Sequence, residues 1–304
     1  MRNFFALLFV ASFFTSTAQD VVQGKIPLNQ NGGSVNNNNQ KVIDNENKTI
    51  FYPAITFQNP TSPGYFGVVV LGATFENKTR IANYPDANAA AYIGLGNPEK
   101  LIGGGITINI YGLTDKYGEQ NNMGQGSFSF HLNKLLFNRK FLLDGGIDNL
   151  FFWGGEQSYI SYQRSAYISG NYLFALRQGG LQTPFSYLSI TAGMGNGYYR
   201  TDKHYTLGKS GSFDPFFSLA TPIFKGTNII GEWNGYDIGT GISSIPFQKV
   251  PFMVTFEATD FIFGHPRFIT SLSFPFNFSK VKKSKEDFLQ RPSFVKPIRS
   301  VRTM

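Results

Sequence analysis

Ser129, His131 and Asn133 carry the side chains of a hydrolytic site and stand two positions apart. At that spacing all three lie on one face of a β-strand. A hydroxyl becomes a nucleophile when an adjacent base takes its proton, and a lipid-cleaving barrel enzyme combines serine, histidine and asparagine for this purpose. Such triplets are also common on polar strand faces, where the histidine is simply hydrogen-bonded. We therefore predict that the protein is not an enzyme. An enzyme that acts on lipid or glycan is kept as an alternative.

Acidic residues recur on predicted inward faces of several strands. Carboxylate pairs perform glycoside hydrolysis, but these acids are spread over separate strands. We interpret them as members of salt bridges that fill a narrow lumen, because a buried charge needs a partner. The expected basic partners are Lys134, Arg164, Arg177 and Arg267. The predicted lumen residues are His131, Asp144, Asp148, Glu232, Glu257 and Arg267.

The chain has three scattered histidines and no cysteine. The lack of cysteine excludes disulfides and thiolate metal sites, and the histidines do not have the spacing of zinc ligands. No helix is predicted after the glycine-rich stretches 103–105 and 193–197, so these are not phosphate-binding loops. We predict neither a metal nor a cofactor.

Twelve stretches with alternating apolar and polar residues position these side chains. In the clearest, Val254 and Phe256 fall on one face, and Thr255 and Glu257 on the other. This period of two marks a strand with one apolar face. The sequence thus predicts an all-β fold, a transmembrane antiparallel up-and-down β-barrel of about twelve strands. A secreted β-sandwich is the alternative. The strands are predicted near 66–75, 88–96, 101–113, 124–136, 141–153, 164–176, 186–199, 212–224, 228–234, 237–246, 251–260 and 267–277.

Short and long connections alternate between the predicted strands. The tight turns include 97–100 and 137–140, whereas 114–123 and 154–163 are longer. This pattern is typical of periplasmic turns and extracellular loops in outer-membrane barrels, and an even strand number leaves both ends of the barrel in the periplasm. The connection at 234–237 is too short for an outer loop, and its Asn-Gly pair predicts a tight hairpin.

Composition divides the chain into four parts. Residues 1–18 have a basic start, an apolar run and small residues before a cut, as in a secretory signal peptide. Residues 19–63 are Asn-rich and predicted to be a mostly disordered periplasmic segment, with one short extended piece at 50–57. Residues 64–278 form the outer-membrane barrel. Residues 279–304 form a basic periplasmic tail.

The net charge of +8 is concentrated in this tail, where eight basic residues face two acids. A basic segment of an exported protein gives little reason to expect nucleic acid as a partner. We expect the tail to bind a periplasmic or envelope protein or anionic lipid, and a solvated terminus that binds nothing is the alternative. The tail residues assigned to partner binding are Lys282, Lys283, Lys285, Arg291 and Arg299.

Aromatic residues agree with a membrane location. The chain has 32 Phe and 15 Tyr, and barrels carry aromatic girdles at both membrane interfaces. Trp153 and Trp233 fall on predicted lipid-side faces near strand ends. Because tryptophan prefers the headgroup zone, we predict that both anchor the barrel in outer-membrane lipid.

Three stretches carry a family resemblance. They are Phe75-Glu-Asn-Lys-Thr-Arg80, Gly94-Leu-Gly-Asn-Pro-Glu-Lys100, and Gly231-Glu-Trp-Asn-Gly-Tyr-Asp-Ile-Gly-Thr-Gly241 continuing to Phe252. Their order and spacing resemble a family of uncharacterised outer-membrane barrels from cyanobacteria and Bacteroidetes, with a distant similarity to YjbH-like exopolysaccharide-associated barrels. The resemblance covers roughly residues 55–278 and implies the fold and the location, but it implies no activity.

These observations lead to a prediction of function with two alternatives. The main one is a non-enzymatic outer-membrane barrel that is an accessory or structural component of envelope assembly, secretion or polysaccharide export. The two periplasmic extensions, which are available to partners, and a filled lumen favour it. A small porin-like diffusion channel is the first alternative, since a twelve-stranded barrel conducts if its lumen stays wet. The barrel enzyme is the second.

Overall fold

The structure is a computed structural model. It describes residues 53–80, 83–113, 124–154, 163–177, 183–208, 211–247, 252–261 and 266–278. The predicted signal peptide, residues 19–52 and the basic tail lie outside these ranges.

Twelve strands make up most of the described chain. They are β1 (Val68–Glu76), β2 (Asp86–Gly96), β3 (Gly103–Ile110), β4 (Gly126–Leu136), β5 (Phe141–Trp153), β6 (Ser165–Ala175), β7 (Tyr187–Gly195), β8 (Asp214–Phe224), β9 (Thr227–Trp233), β10 (Ile238–Ser244), β11 (Met253–Thr259) and β12 (Arg267–Asn277). Between β7 and β8 lie a 3-10 turn (Gly197–Tyr199) and a short helix α1 (Asp202–Thr206). Neither described helix is long and apolar enough to cross a membrane.

The strands close into a single antiparallel barrel. Each strand pairs with its neighbours in the sequence, and β1 pairs with β12 from Val68–Asn277 to Glu76–Ile269. Closure leaves no strand edge unpaired, and a lipid environment requires this because it offers no water to free N–H and C=O groups. The predicted twelve-stranded transmembrane barrel is confirmed.

Alternation along each strand separates a polar interior from an apolar exterior. In β11, Met253, Thr255 and Glu257 are buried, whereas Phe256 is 51% exposed. This is the predicted register, and the same holds for β12. The outward side chains form the surface that faces lipid. They include Ile93, Ile106, Phe128, Phe130, Leu132, Leu143, Ile168, Met194, Phe217, Leu219, Ile229, Ile242 and Phe268.

The two ends of the barrel differ. At one end, here called the termini end, β1 begins and β12 ends, and several strand pairs are joined by tight turns such as Phe137–Lys140. Most of the longer connections lie at the opposite end, the loop end, whereas the β6–β7 connection (176–186) is a longer one at the termini end. The β9–β10 connection is an exception at the loop end, as predicted, because it is a tight turn with Gly235 at φ +100°. A Cβ on Gly235 would lie 2.0 Å from the Tyr199 carbonyl oxygen, so this turn packs under the β7–β8 connection.

Residues 53–63, here called the lumen segment, lie inside the barrel, and every one of them is buried. This differs from the assignment of these residues to a disordered periplasmic segment. The physical reason is that the segment has no periodic pattern of its own and takes its hydrogen bonds from wall side chains that are distant in sequence. It ends at Gly64, where a Cβ would lie 1.8 Å from the Gly104 carbonyl oxygen of β3.

Candidate functional site in the barrel lumen

The lumen segment rises from the termini end, turns beside the loop-end residues Trp233 and Tyr236, and returns. Its first limb meets Ser243, the next-to-last residue of β10, whose Oγ accepts the Ala54 N–H at 2.9 Å. It also meets Asn228 near the start of β9, whose Nδ2 donates to the Ala54 carbonyl oxygen at 2.9 Å. Both strand positions are at the termini end, so the segment enters the lumen from that side.

Glu232 holds the turn of the segment. Its carboxylate accepts three consecutive main-chain N–H groups, from Phe57 at 2.7 Å, Gln58 at 2.6 Å and Asn59 at 3.0 Å. The Thr56 hydroxyl donates to the Asn59 carbonyl oxygen and closes the turn. Among the described wall residues, Glu232 thus makes the largest number of hydrogen bonds to the segment.

The returning limb binds the opposite wall. The Ser169 hydroxyl of β6 donates to the Pro60 carbonyl oxygen, and Asp144 of β5 accepts the Ser62 N–H at 2.9 Å. Asn133 of β4 donates its Nδ2 to the Ser62 carbonyl oxygen at 2.7 Å. Wall side chains therefore contact the main chain of the segment along both limbs.

Apolar contacts fix the first limb. Ile55 and Phe57 are 4% and 1% exposed. They form one cluster with inward-facing apolar side chains from five strands, and burial of each contributes about 1.5–3 kcal/mol. The wall side chains of this apolar pocket are Leu173, Tyr187, Ala220, Ile230 and Met253.

Gln58, at the turn, uses both ends of its amide group. Its Nε2 donates to Glu257 Oε1 at 2.8 Å. Its Oε1 accepts the hydroxyl of Tyr198 at 2.6 Å and that of Tyr236 at 2.9 Å. Burial raises the pKa of both phenols, so both stay protonated and keep donating. These partners form an amide pocket.

A charged cluster lies beyond Gln58 at the loop end. Arg267 donates to Glu76 at 2.8 Å and to the Tyr236 hydroxyl at 2.9 Å, and its Nε lies 2.9 Å from Asp260. The guanidinium of Arg80 lies 3.4 Å from the centroid of the Tyr236 ring. Burial of a cation over an aromatic face strengthens their attraction, so these contacts hold the loop end together.

The structure places all six predicted lumen residues on inward positions and connects several of them. Asp144 and His131 pair at 3.0 Å, and Asp148 accepts the Tyr199 hydroxyl at 2.8 Å. Glu232 and Glu257 bind the lumen segment rather than a basic residue. Of the basic partners expected from sequence, Arg267 is paired, whereas Arg164 and Arg177 are exposed.

The hydrolytic triplet does not assemble. His131 bonds Asp144 through Nδ1 and the Tyr92 hydroxyl through Nε2, both at 3.0 Å. The Ser129 hydroxyl instead accepts the Asn149 N–H at 3.1 Å, next to a register shift between β4 and β5. Among the described residues, no base contacts the Ser129 hydroxyl, so the triplet lacks the contact that would activate this hydroxyl. The described residues contain no group of three or more His, Asp or Glu side chains suited to a metal ion.

Trp153 and Trp233 are the last residues of β5 and β9, at the loop end. The Nε1 of Trp153 donates to the Gly124 carbonyl oxygen and that of Trp233 to the Pro215 carbonyl oxygen, each at 3.0 Å. Their indoles therefore bind neighbouring main chain near the ends of the strands. The tail residues predicted to bind a partner lie outside the described residues.

The role of residues 53–63 was missed from sequence. Their only local signal is the spacing of Pro53, Pro60 and Pro63, which opposes regular structure without indicating where the chain goes. The extended piece predicted at 50–57 overlaps the first limb. The contacts that hold the segment join positions 71 to 199 apart, which no local pattern reveals.

Comparisons with known proteins add little to this description. No protein-family model matches the chain, and no curated protein matches it either. Among solved structures, a KdgM porin is similar at 10% sequence identity and a TM-score of 0.39, over 69% of this chain and 99% of the porin. A KdgM porin in complex with disordered oligogalacturonate gives a TM-score of 0.38 at the same identity and coverage. Similarity at this level identifies no function, and the resemblance to the cyanobacterial and Bacteroidetes barrels and to YjbH-like barrels stays a prediction.

Proposed function

We propose that the protein is a narrow diffusion channel of the outer membrane whose lumen is closed by its own residues 53–63. The observation that carries this proposal is that the segment is bound to a largely hydrophilic wall by non-covalent contacts alone. A wall of hydroxyls and amides exchanges its hydrogen bonds to the segment for bonds to water, so withdrawal of the segment leaves few polar groups unpaired. The inward-facing polar residues include Thr107, Asn109, Ser127, Ser129, Asn133, Ser169, Asn171, Ser189, Thr191, Ser218, Asn228, Ser243, Thr255, Ser271 and Ser273.

A cavity beside the returning limb supports the same proposal. It lies between Thr61 and the wall and is lined by His131, Asp144, Asp148 and Thr107, among others. The cavity has room for about one water molecule, so this side of the lumen can hold water between the segment and the wall.

The outer membrane fits this barrel best. An even number of antiparallel strands, an apolar outer surface and longer connections at one end are the common features of bacterial outer-membrane barrels. We place the termini end in the periplasm, so the lumen segment enters from there. The signal peptide predicted at 1–18 supplies the export that this location requires.

The experiment weakens the binding of the lumen segment to the wall without shortening the chain. Ile55→Ser, Phe57→Ser and Gln58→Ser together, here called the loosened variant, remove the apolar anchors and the amide contacts. The lost burial amounts to about 3–6 kcal/mol, so we expect the loosened variant to conduct in planar bilayers while the wild type stays mostly closed. Phe66→Ser is the matched control, since Phe66 adjoins the segment but is 69% exposed.

Both proteins must first show a folded barrel by the gel shift on boiling. A folded loosened variant that conducts no better than the wild type would refute the channel.

The accessory or structural role is the second candidate, and the apolar cluster of Ile55 and Phe57 with five strands favours it. If the lumen segment is part of the core, its anchors are needed for folding rather than for closing a pore. The loosened variant would then lose the gel shift on boiling and fail to insert, whereas Phe66→Ser would behave like the wild type.

A further inference from the structure

We infer that the wall residues that bind the lumen segment, here called the seat, form a peptide-binding site. This site also accepts, in trans, an unstructured segment of another protein. This inference rests on the proposed function, because the seat must first be vacated by residues 53–63. The ligand class is a peptide with an apolar residue, any residue, an aromatic residue and an amide residue in succession, as in Ile55–Gln58.

The wall recognises main chain on both limbs of its occupant. Glu232, Asp144 and Ser243 accept main-chain N–H groups. Asn133, Asn228 and Ser169 donate to main-chain carbonyl oxygens. Contacts of this kind bind any peptide that follows the same path, as in other modes of peptide recognition in which main-chain hydrogen bonds give affinity and side-chain pockets give specificity.

Two pockets add selectivity to these main-chain contacts. The apolar pocket around Ile230 and Met253 covers the side chains of Ile55 and Phe57. The amide pocket of Glu257, Tyr198 and Tyr236, together with Asn234, supplies one acceptor and three donors, which match the two ends of a glutamine amide. Exposing this apolar pocket to water is unfavourable, so a peptide with apolar side chains is favoured over water once residues 53–63 have left it.

The geometry also sets the side from which a partner arrives. The loop end is held together by Arg267 with Glu76 and Asp260, and by Arg80 stacked on Tyr236. The lumen segment enters at the termini end, beside Ser243 and Asn228. A peptide in trans reaches the seat from that same end. It competes with a tethered segment whose effective concentration is of millimolar order, so it binds well only once residues 53–63 are displaced.

The test measures binding of one defined probe to full-length protein. The probe is a fluorescently labelled synthetic peptide with the sequence of residues 53–64, and its anisotropy is followed as detergent-solubilised protein is added. We expect saturable binding to the loosened variant and at least tenfold weaker binding to the wild type, whose seat is occupied. Adding Glu232→Gln to the loosened variant should weaken binding by about tenfold, because the amide has one acceptor oxygen where the carboxyl group has two, so at least one of the three main-chain N–H groups loses its acceptor.

A second peptide provides the matched ligand control. A probe carrying Phe57→Ser keeps the main-chain contacts and loses the larger apolar anchor, so its binding should fall by about tenfold or more. Equal binding of both peptides, or equal binding to wild type and loosened variant, would mean association with the micelle or outer surface and would overturn the inference.

Conductance separates this inference from the proposed function. If the loosened variant conducts and the peptide neither binds nor blocks the current, the peptide site is wrong and the channel stands. If the peptide binds with the expected dependence on Glu232 but no variant conducts, the channel is wrong and the peptide site stands.

Discussion

Glu232 Oε1 accepts the main-chain N–H of Gln58 at 2.6 Å, although the two residues are 174 positions apart in the sequence. Glu232 is 3% exposed, and all of its hydrogen bonds within the described chain come from the lumen segment. A carboxylate at this depth is costly unless donors surround it. Glu232 and the turn at Phe57–Asn59 are therefore energetically interdependent: each satisfies the polar groups of the other.

Glu232→Leu should release the lumen segment. Leucine keeps most of the side-chain volume but leaves three main-chain N–H groups without an acceptor, and each unsatisfied group costs about 1–3 kcal/mol. The measurement is thiol labelling of Ala54→Cys. Ala54 is fully buried and the chain has no other cysteine. We expect labelling at least about tenfold faster in the Glu232→Leu background.

Two controls accompany this labelling experiment. Phe66→Cys, at a residue that is 69% exposed, should react equally fast with and without Glu232→Leu. Glu232→Gln keeps a carbonyl acceptor and should give an intermediate rate. Unchanged labelling of Ala54→Cys in Glu232→Leu would show that the carboxylate does not hold the segment.

The destabilisation caused by a charge on the outer surface should depend on how deep that charge lies in the membrane. Phe256, midway along β11 and 51% exposed, faces lipid, so Phe256→Arg should destabilise the inserted barrel by about 2–4 kcal/mol. Phe276, one residue before the end of β12, also faces outward but lies at the termini end. Phe276→Arg should cost about 0–1 kcal/mol there. Urea unfolding from lipid vesicles measures both, and equal costs would contradict the membrane placement.

Residues such as Phe256 and Glu257 could be assigned from sequence because the strand period is local. Two neighbours in a strand point to opposite faces whatever the rest of the chain does, and each apolar–polar alternation adds to the signal. The same reasoning put Glu232, Glu257 and Asp144 on the inward face. It did not identify what they bind there, since sequence periodicity contains no information about partners across a barrel.

The lumen segment shows the limit of this reasoning. Proline content and low hydrophobicity predicted disorder for a stretch that has no periodic pattern. Its order arises from long-range contacts, such as Ser62 with Asp144 and Asn228 with Ala54, which join residues 82 and 174 positions apart. Ile55 and Phe57 are two apolar residues in a polar context, too few to predict burial before the pocket of five strands is known.

His131 should contribute to stability rather than to catalysis. Its imidazole hydrogen-bonds Asp144, which is 1% exposed, and the Tyr92 hydroxyl, and leucine removes both bonds. His131→Leu should lower the free energy of unfolding by about 1–3 kcal/mol for each partner left unsatisfied. Ser129→Ala removes one acceptor and should cost about 1 kcal/mol. Urea unfolding of the purified barrel measures both. If both variants instead lost a lipid-cleaving activity while their stability was unchanged, the result would support the alternative that the barrel is an enzyme.

A disulfide between the segment and the wall should close the loosened variant again. The Ala54 N atom lies 2.9 Å from Ser243 Oγ, so Ala54→Cys and Ser243→Cys place two neighbouring cysteines in a chain that otherwise has none. Oxidation then tethers the first limb at the termini end, whereas reduction frees it.

We expect the current through planar bilayers to be largely lost after oxidation and to return on addition of dithiothreitol. The loosened variant with Ala54→Cys alone is the control and should conduct under both conditions, because it lacks a second thiol to pair with. The intramolecular disulfide is first verified by mass spectrometry. An equal current under oxidising and reducing conditions would then mean that solutes pass the segment without displacing it.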